Sequence, residues 1–562
     1  MPEICKKIIG LILLILIFSC NRTKHFPIPS SISDTISKKI PLSEGEMENW
    51  LHKDIINDTI PGTSLERAYN ELLKGRKGQK VIVAIIDTEI DINHKDLDGQ
   101  IWINEDEIAN NGIDDDENGY IDDLNGWNFL GGLDNNIIYL HYESVRILKK
   151  YQRVFEGKSI QDISKDSVDL FKLYLKAKDK YDSQLNNARE EQDYGNFLAE
   201  GFKKSKETLK RFFPKEDYTL TQLDSLYEIY KNEEELSKWI YFMQDYFRYD
   251  LSEKWIYDFK RNADMVIEKS LNLDYNEHIS SQANENSVED TDYGNNNISG
   301  NMEVFYHGTQ VAGIITAKGE NSLTTNGVFN NIELMDLAVV ANHGNERDKD
   351  IALAIKYAVD NGAKIINMSF GKDLSSDKEW VHEAFKYAEK NDVLIISSAG
   401  NKSYNLNLMN DYYPNDNVEN KEEISNNFIL VGASSSNLNE NLVASFSNYG
   451  KYDVDIFAPG QEIKTLLPNN GYRKDSGTSL SSGIVSGIAA LIRSHYPNLS
   501  ASEVKQILMR SGIEYDMIIN VPGSGEKKQK LHFKELSKSG KIINAYNAFL
   551  MAKELSKSSF AQ

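Results

Sequence analysis

Cysteine is nearly absent: the 562 residues hold two, Cys5 and Cys20, both within the first twenty positions. No disulfide can therefore brace the remainder, and its stability has to come from packing and any bound ions. An excess of basic charge is also missing. Formal net charge is −22 and no long basic patch occurs, which argues against a nucleic-acid partner because phosphates would be repelled. Long apolar runs are lacking too. The one candidate, Ile8 to Phe18, is too short to span a bilayer comfortably. No internal repeat marks a solenoid or an array.

What is present is a globular composition, 40% hydrophobic and 26% charged, in a chain long enough for one large domain with additions. Lys6 and Lys7 precede the Ile8–Phe18 run, as in a signal-peptide core. The run ends Ile17-Phe18-Ser19-Cys20, which resembles a bacterial lipobox of aliphatic, any, small and cysteine residues, with Phe18 a bulky choice. The expectation is a lipoprotein signal peptide over 1–20, acylation of Cys20, and export to a bacterial envelope with the chain anchored in a membrane. An ordinary signal peptide or a membrane anchor is the alternative. Residues 21–44 are rich in Ser, Pro, Thr and Lys and read as a tether, and 45–76 as a short ordered lead-in.

From residue 77 the pattern changes. Val81-Ile82-Val83-Ala84-Ile85-Ile86 is β-branched and apolar on both faces, as a buried parallel strand requires, and it ends at Asp87. Similar runs occur at 364–368, 393–396 and 428–431, with helical spacing between them, for example over 351–358. Alternation of strand and helix predicts an α/β domain with a parallel sheet. Residues 136–298 break the rhythm. They carry charged helical segments, one opened by Thr219 and Gln222 as a capping box, and they read as a helical insertion. The domain thus divides into 77–135 and 299–512, followed by a C-terminal extension, 513–562.

Three short segments carry candidate chemistry: Ile85-Ile86-Asp87-Thr88, His307-Gly308-Thr309, and Gly477-Thr478-Ser479-Leu480-Ser481. A hydroxyl nucleophile needs a base to take its proton and a carboxylate to fix that base's tautomer. A buried strand ending in Asp delivers the carboxylate to the C-terminal edge of the sheet, where sites of open α/β sheets lie. A helix beginning at Ser479 favours negative charge developing on an attacked carbonyl. This chemistry requires no cofactor.

The segments, in the chain order Asp, His, Ser, resemble the subtilase family of serine proteases. Ser398-Ala399-Gly400-Asn401, Asn367-Met368-Ser369-Phe370-Gly371, Phe446 to Gly450 and Phe457 to Gly460 match further landmarks in order. The resemblance covers about 77–135 and 299–512. It implies a subtilisin-like fold, a parallel central sheet flanked by helices, with endopeptidase activity on polypeptide substrates. It also implies a triad of Asp87, His307 and Ser479. Asn401 would donate its amide to the oxyanion together with the Ser479 N–H. Ser369, Phe370, Gly371, Ser398, Ala399 and Gly400 would line the substrate. Several residues depart from the pattern. Glu89 stands where Gly is usual and is expected to turn to solvent or to a cation. Gln310 replaces a non-catalytic His, Leu480 a Met, and Gly483 and Ile484 a Pro and a His. An inactive chain using the insertion as a surface binding module is the competing reading, and the intact Ser479, His307 and Asn401 speak against it.

The stretch NGIDDDENGYIDDLNGWN, residues 111–128, fits the start of an oxygen-ligand calcium loop. Asp114, Asp116, Asn118 and Asp122 would converge on one ion, with Tyr120 offering its carbonyl. The twelfth position is Asn125 rather than the usual Glu, and Asp123 can substitute. Such loops occur in calcium-stabilised subtilases. The alternative is a solvated acidic turn.

Overall fold

The computed structural model describes residues 42–559 except 133–135, 278–283, 285–286, 320–325, 410–411, 419–421 and 526–527. Cys20 and the tether up to residue 41 lie outside the described residues.

The apolar run at 81–86 does what its composition demands. It forms the strand β1, Val81–Asp87, which is buried along almost its whole length. Alternate side chains feed two different cores. Val83 and Ile85 join one apolar cluster, and Ala84 and Ile86 join the other. Each large aliphatic chain so buried contributes roughly 1.5–3 kcal/mol. Eight further strands complete the main sheet: β2 (Gly126–Asn128), β3 (Ile332–Ala338), β4 (Ile365–Met368), β5 (Leu394–Ser398), β6 (Phe428–Ser434), β7 (Ile456–Pro459), β8 (Ile513–Glu514) and β9 (Lys541–Ile542). Their order is β8-β9-β7-β6-β5-β4-β1-β3-β2. All neighbours are parallel except β8 and β9, which pair antiparallel. The segment expected to be a C-terminal extension thus supplies the last two strands of the sheet.

Among the described residues eleven α-helices are ten or more residues long. Five lie in the stretch read as an insertion: α1 (Glu143–Phe155), α2 (Val168–Leu209), α3 (Leu220–Tyr230), α4 (Glu234–Arg248) and α5 (Glu253–Met265). The others are α6 (His307–Thr316), α7 (Asp348–Asp360), α8 (Lys378–Lys390), α9 (Thr478–His495), α10 (Ala501–Ser511) and α11 (Ala545–Ser559). Helices α6, α9, α10 and α11 pack on the Val83 side of the sheet, and α7 and α8 on the Ala84 side. Two helical layers therefore cover a parallel sheet on both faces, an α/β architecture. The lead-in is part of the same body: Trp50 is fully buried in the Val83-side core and donates its indole N–H to the Gln461 carbonyl at 3.1 Å.

The helices α2 to α5 hold a core of their own, built from Leu198, Phe202, Leu223, Ile240, Met243 and Ile256. The capping box at the start of α3 forms as its sequence predicts: Gln222 accepts from the Thr219 N–H at 2.8 Å, and Thr219 Oγ1 accepts in return at 3.4 Å. This helical unit is seated on the loop after β4. Leu374 packs against Ile147 of α1 and Ala177 of α2. Lys150 reaches Asp377 at 2.8 Å and Lys180 reaches Asp373 at 2.5 Å.

Candidate active site

Asp87 is the last residue of β1, at the C-terminal edge of the sheet. His307 opens α6, and Ser479 is the second residue of α9. The edge of a parallel sheet and two helix N-termini thus meet at one place. His307 Nδ1 and Asp87 Oδ1 are 2.7 Å apart. Asp87 is fully buried, and its Oδ1 also accepts from the Thr88 N–H at 2.7 Å. Thr88 fastens the two elements together, because its Oγ1 accepts from the Gly308 N–H at 2.8 Å. Burial by itself would lower the pKa of His307, but the Asp87 charge and hydrogen bond outweigh it and raise the value above the ordinary 6.5. Asp475 adds to the rise, and Gln310, the departure from a usual His, donates to that carboxylate at 2.8 Å.

Ser479 is 7% exposed, and its hydroxyl donates to the Ser369 carbonyl at 3.2 Å. Sites without substrate often hold such loose geometry and tighten when the reacting carbonyl arrives. Ser369 is held in turn: its hydroxyl accepts from Asn367 Nδ2 at 2.8 Å and lies 3.0 Å from Ser482 Oγ. Asn401 follows β5 and is exposed. Its Oδ1 accepts two hydrogen bonds from Thr478, from the backbone N–H and from Oγ1, each 2.9 Å. The planar amide therefore has its oxygen pinned, and Nδ2 is left as a donor beside the N-terminus of α9. Ser398 closes β5, and Ala399 is buried. Phe370 is nearly buried in the Ala84-side core, and the Gly400 N–H donates to Thr478 Oγ1 at 3.0 Å. The structure thus brings Asp87, His307, Ser479, Asn401, Ser369 and Gly400 to one sheet edge.

Glu89 corrects an expectation. It does not turn to solvent but is 1% exposed among amide donors. Asn136 Nδ2, Asn301 Nδ2 and the Asn301 N–H reach it at 2.8, 2.9 and 2.7 Å. Those bonds satisfy a buried carboxylate two residues from Asp87. Asp336 on β3 escaped sequence reading. It is fully buried and accepts from the Ile90 N–H at 2.9 Å. Burial first, then the charges of Glu89 and Asp87, raise its pKa far above the ordinary carboxyl value. The protonated form of Asp336 is thus favoured by its surroundings beside Asp87. The available signal was an Asp inside the apolar run Leu334-Met335-Asp336-Leu337.

The acidic loop is partly rearranged relative to its sequence pattern. Ligand atoms of Asp114, Asp116 and Glu107 lie within 4.8 Å of one another. Glu107 lies before the motif and was missed. It is 7% exposed, and its Oε2 is buried with no hydrogen-bond partner among the described residues. A buried carboxylate oxygen without a donor is what a cation would satisfy. Asn118 stays at the cluster, its Nδ2 donating to Asp116 and Asp123 at 2.9 Å each. The Asp122 carboxylate accepts from the N–H groups of Asn111 and Gly112, both at 2.9 Å. The Tyr120 ring is buried against Tyr357 and Trp127, with centroids 4.9 and 5.1 Å away. Asp123 accepts from Asn104 Nδ2 at 2.8 Å and from the Asn118 amide.

Comparison with known proteins agrees with this geometry. A cell wall-associated protease of Bacillus subtilis (strain 168) is 35% identical over 225 residues, which is 39% of this chain and 23% of that protein. A thermophilic serine proteinase of Bacillus sp. (strain AK1) is 34% identical over 35% of this chain and 45% of its own length. Subtilisin DY of Bacillus licheniformis is 34% identical over 36% of this chain and 68% of its own length. The chain thus spans less than half the length of the first two relatives. The model of the subtilase family matches residues 78–537, a range that contains the sheet strands β1 to β8, the helical unit and all three triad positions, so the chain belongs to the subtilase family.

Proposed function

We propose that the protein is a serine endopeptidase that hydrolyses polypeptides through an acyl-enzyme on Ser479. The observation that carries this reading is the 2.7 Å contact between His307 Nδ1 and the buried Asp87 carboxylate. It fixes the imidazole so that Nε2 is the basic nitrogen toward the nucleophile. His307 takes the Ser479 proton as Oγ attacks the peptide carbonyl, and Asp87 stabilises the resulting imidazolium. The oxygen of the tetrahedral intermediate accepts from Asn401 Nδ2 and from the Ser479 N–H at the start of α9. His307 then gives its proton to the leaving amine. Water repeats the sequence on the acyl-enzyme and restores Ser479. Segment 369–371 would pair with the substrate backbone, and 398–400 would form the opposite wall. A fluorophosphonate probe should label Ser479 in the wild type and not in Ser479→Ala. An adduct elsewhere, or no cleavage of denatured protein by labelled-competent enzyme, would overturn the assignment.

Two further readings belong with this one. Glu107, Asp114 and Asp116, with Asn118 beside them, would hold a calcium ion whose charge offsets three carboxylates in one loop; the orphaned Glu107 oxygen supports it. Its part is structural, and no catalytic step needs it. Cys20 would carry the lipid that ties the exported chain to a bacterial envelope. The lipobox-like Ile17-Phe18-Ser19-Cys20 supports that reading, and the cell-wall association in one relative's name is in keeping with it. Among the described residues no helix is long and apolar enough to cross a membrane. Cys20→Ser should move the protein from the detergent-extracted to the soluble fraction; an N-terminus still beginning at Met1 without acyl mass would defeat the anchor.

A further inference from the structure

The ladder between β4 and β5 ends at the pair Met368 and Ser397. Beyond it one segment runs to Gly371 and the other to Asn401. A side chain from a distant loop stands between them. A Cβ built on Gly371 would lie 2.4 Å from the Tyr412 hydroxyl oxygen, and one built on Gly400 would lie 2.0 Å from the same atom. Real carbon atoms do not come that close, so both positions admit only glycine while Tyr412 stays where it is. Gly400 is doubly constrained, because its φ is +98°. One phenol tip therefore touches both segments.

Tyr412 is held there. It is 5% exposed and belongs to the Ala84-side core with Phe370 and Ala399. The neighbouring Tyr413 exchanges two backbone hydrogen bonds with Lys372, each 2.8 Å, which locks Tyr412 in register against Gly371. Among the described residues the hydroxyl makes no hydrogen bond. Burial, then the charges of Asp373 and Glu346, push its pKa up, so it stays a neutral donor at every working pH.

The consequence rests on the peptidase reading above. The attacked carbonyl must lie at Ser479 Oγ with its oxygen toward Asn401 Nδ2, and its backbone beside 369–371. The side chain of that residue, on the acyl side of the scissile bond, then enters the gap between Gly371 and Gly400. We propose that Tyr412 is the specificity-determining residue of this site: its hydroxyl closes that gap and restricts the acyl-side residue to a small, uncharged side chain such as alanine or serine. Large aromatic and basic side chains are excluded by length.

The test compares two peptide p-nitroanilides that differ only in alanine or phenylalanine before the scissile bond, with active sites titrated by a fluorophosphonate. The wild type should favour the alanine peptide in kcat/KM. Tyr412→Ala should raise kcat/KM for the phenylalanine peptide by about 10–200-fold, the range that pocket volume commands, and reverse the order. Tyr412→Leu keeps an apolar filler for the core and removes the tip; it should shift the ratio in the same direction by less, and it serves if the alanine variant does not fold. A wild type that prefers phenylalanine, or a titratable variant with the wild-type ratio, overturns the role of Tyr412 and leaves the peptidase reading standing. A wild type that neither titrates nor cleaves either peptide removes the peptidase reading itself.

Discussion

His307 Nδ1 and Asp87 Oδ1 stand 2.7 Å apart across 220 residues of sequence, with the carboxylate fully buried and the imidazole 34% exposed. Burial of the ring lowers its pKa, but the Asp87 charge prevails and the value lies above 6.5. Activity should therefore fall on the acid side with a midpoint above that of free imidazole. Stability follows the opposite sign. A folded-state pKa above the unfolded one contributes stability that is complete below the unfolded value and is lost as pH rises through the folded value. Asp87→Asn should move the acid limb of kcat/KM to lower pH and cut kcat by about 10⁴ through the wrong tautomer. Identical acid limbs in wild type and variant would show that the two residues are not coupled.

Asn401 has its oxygen fixed by Thr478, and among the described residues its nitrogen makes no hydrogen bond beside the start of α9. Asn401→Ala should melt close to the wild type, since the residue is exposed, yet lose about 10²–10³ in kcat with little change in KM. That magnitude is carried over from the same donor in subtilisin. An unchanged kcat would move the oxyanion site away from Asn401.

The parts legible in the sequence are those with local causes. The apolar run before Asp87 marks a strand buried on both faces, and the helix at Ser479 announces itself by small residues and apolar spacing. The parts that were not legible depend on distant partners. Glu89 looked like an exposed acid because its donors Asn136 and Asn301 lie 47 and 212 residues away. Glu107 precedes the Asp-x-Asp-x-Asn pattern and joins it only through the turn of the chain. Strands β8 and β9 are two residues each, too short for any periodicity to show.

Lys372 likewise depends on partners distant in sequence, Glu143 and Asp348. It is 1% exposed, and its Nζ lies 2.8 Å from Asp348 and 3.1 Å from Glu143 of α1, both almost fully buried. Its own pKa is raised, since those carboxylates outweigh the effect of burial. Burial would raise the pKa of Glu143, but Lys372 and Arg146 reverse this and hold it below the usual range. Removing Lys372 leaves two buried carboxylates short of their cation. Lys372→Met should cost about 3–5 kcal/mol in urea unfolding. Glu143 contributes stability above its unfolded pKa that is lost as pH falls through its depressed folded value. The variant should accordingly show a weakened dependence of stability on pH across the acidic range. A variant as stable as the wild type, with an unchanged acid profile, would mean that this network holds nothing together.

The acidic loop sets three carboxylates, Glu107, Asp114 and Asp116, with ligand atoms within 4.8 Å of one another. Without a cation their repulsion opposes the compact turn. The backbone N–H groups of Asn118 and Gly119 offset part of it by donating to Asp114 at 3.0 and 2.8 Å, but Glu107 Oε2 receives no such donor. A divalent ion that binds the folded loop alone raises stability by about 2.7 kcal/mol at a hundredfold excess over its dissociation constant. EDTA should therefore lower the Tm, and calcium should restore it better than magnesium, because calcium tolerates an irregular carboxylate set and magnesium demands a tight octahedron. Asp114→Ala with Asp116→Ala should abolish the response. Glu107→Gln should weaken it while leaving the Asx turns of the loop intact, which separates loss of a ligand from loss of the fold. Calorimetry on the three proteins, in EDTA and in calcium, decides the matter: equal melting of the wild type in both, or a full calcium shift in the double variant, would leave this loop a solvated acidic turn.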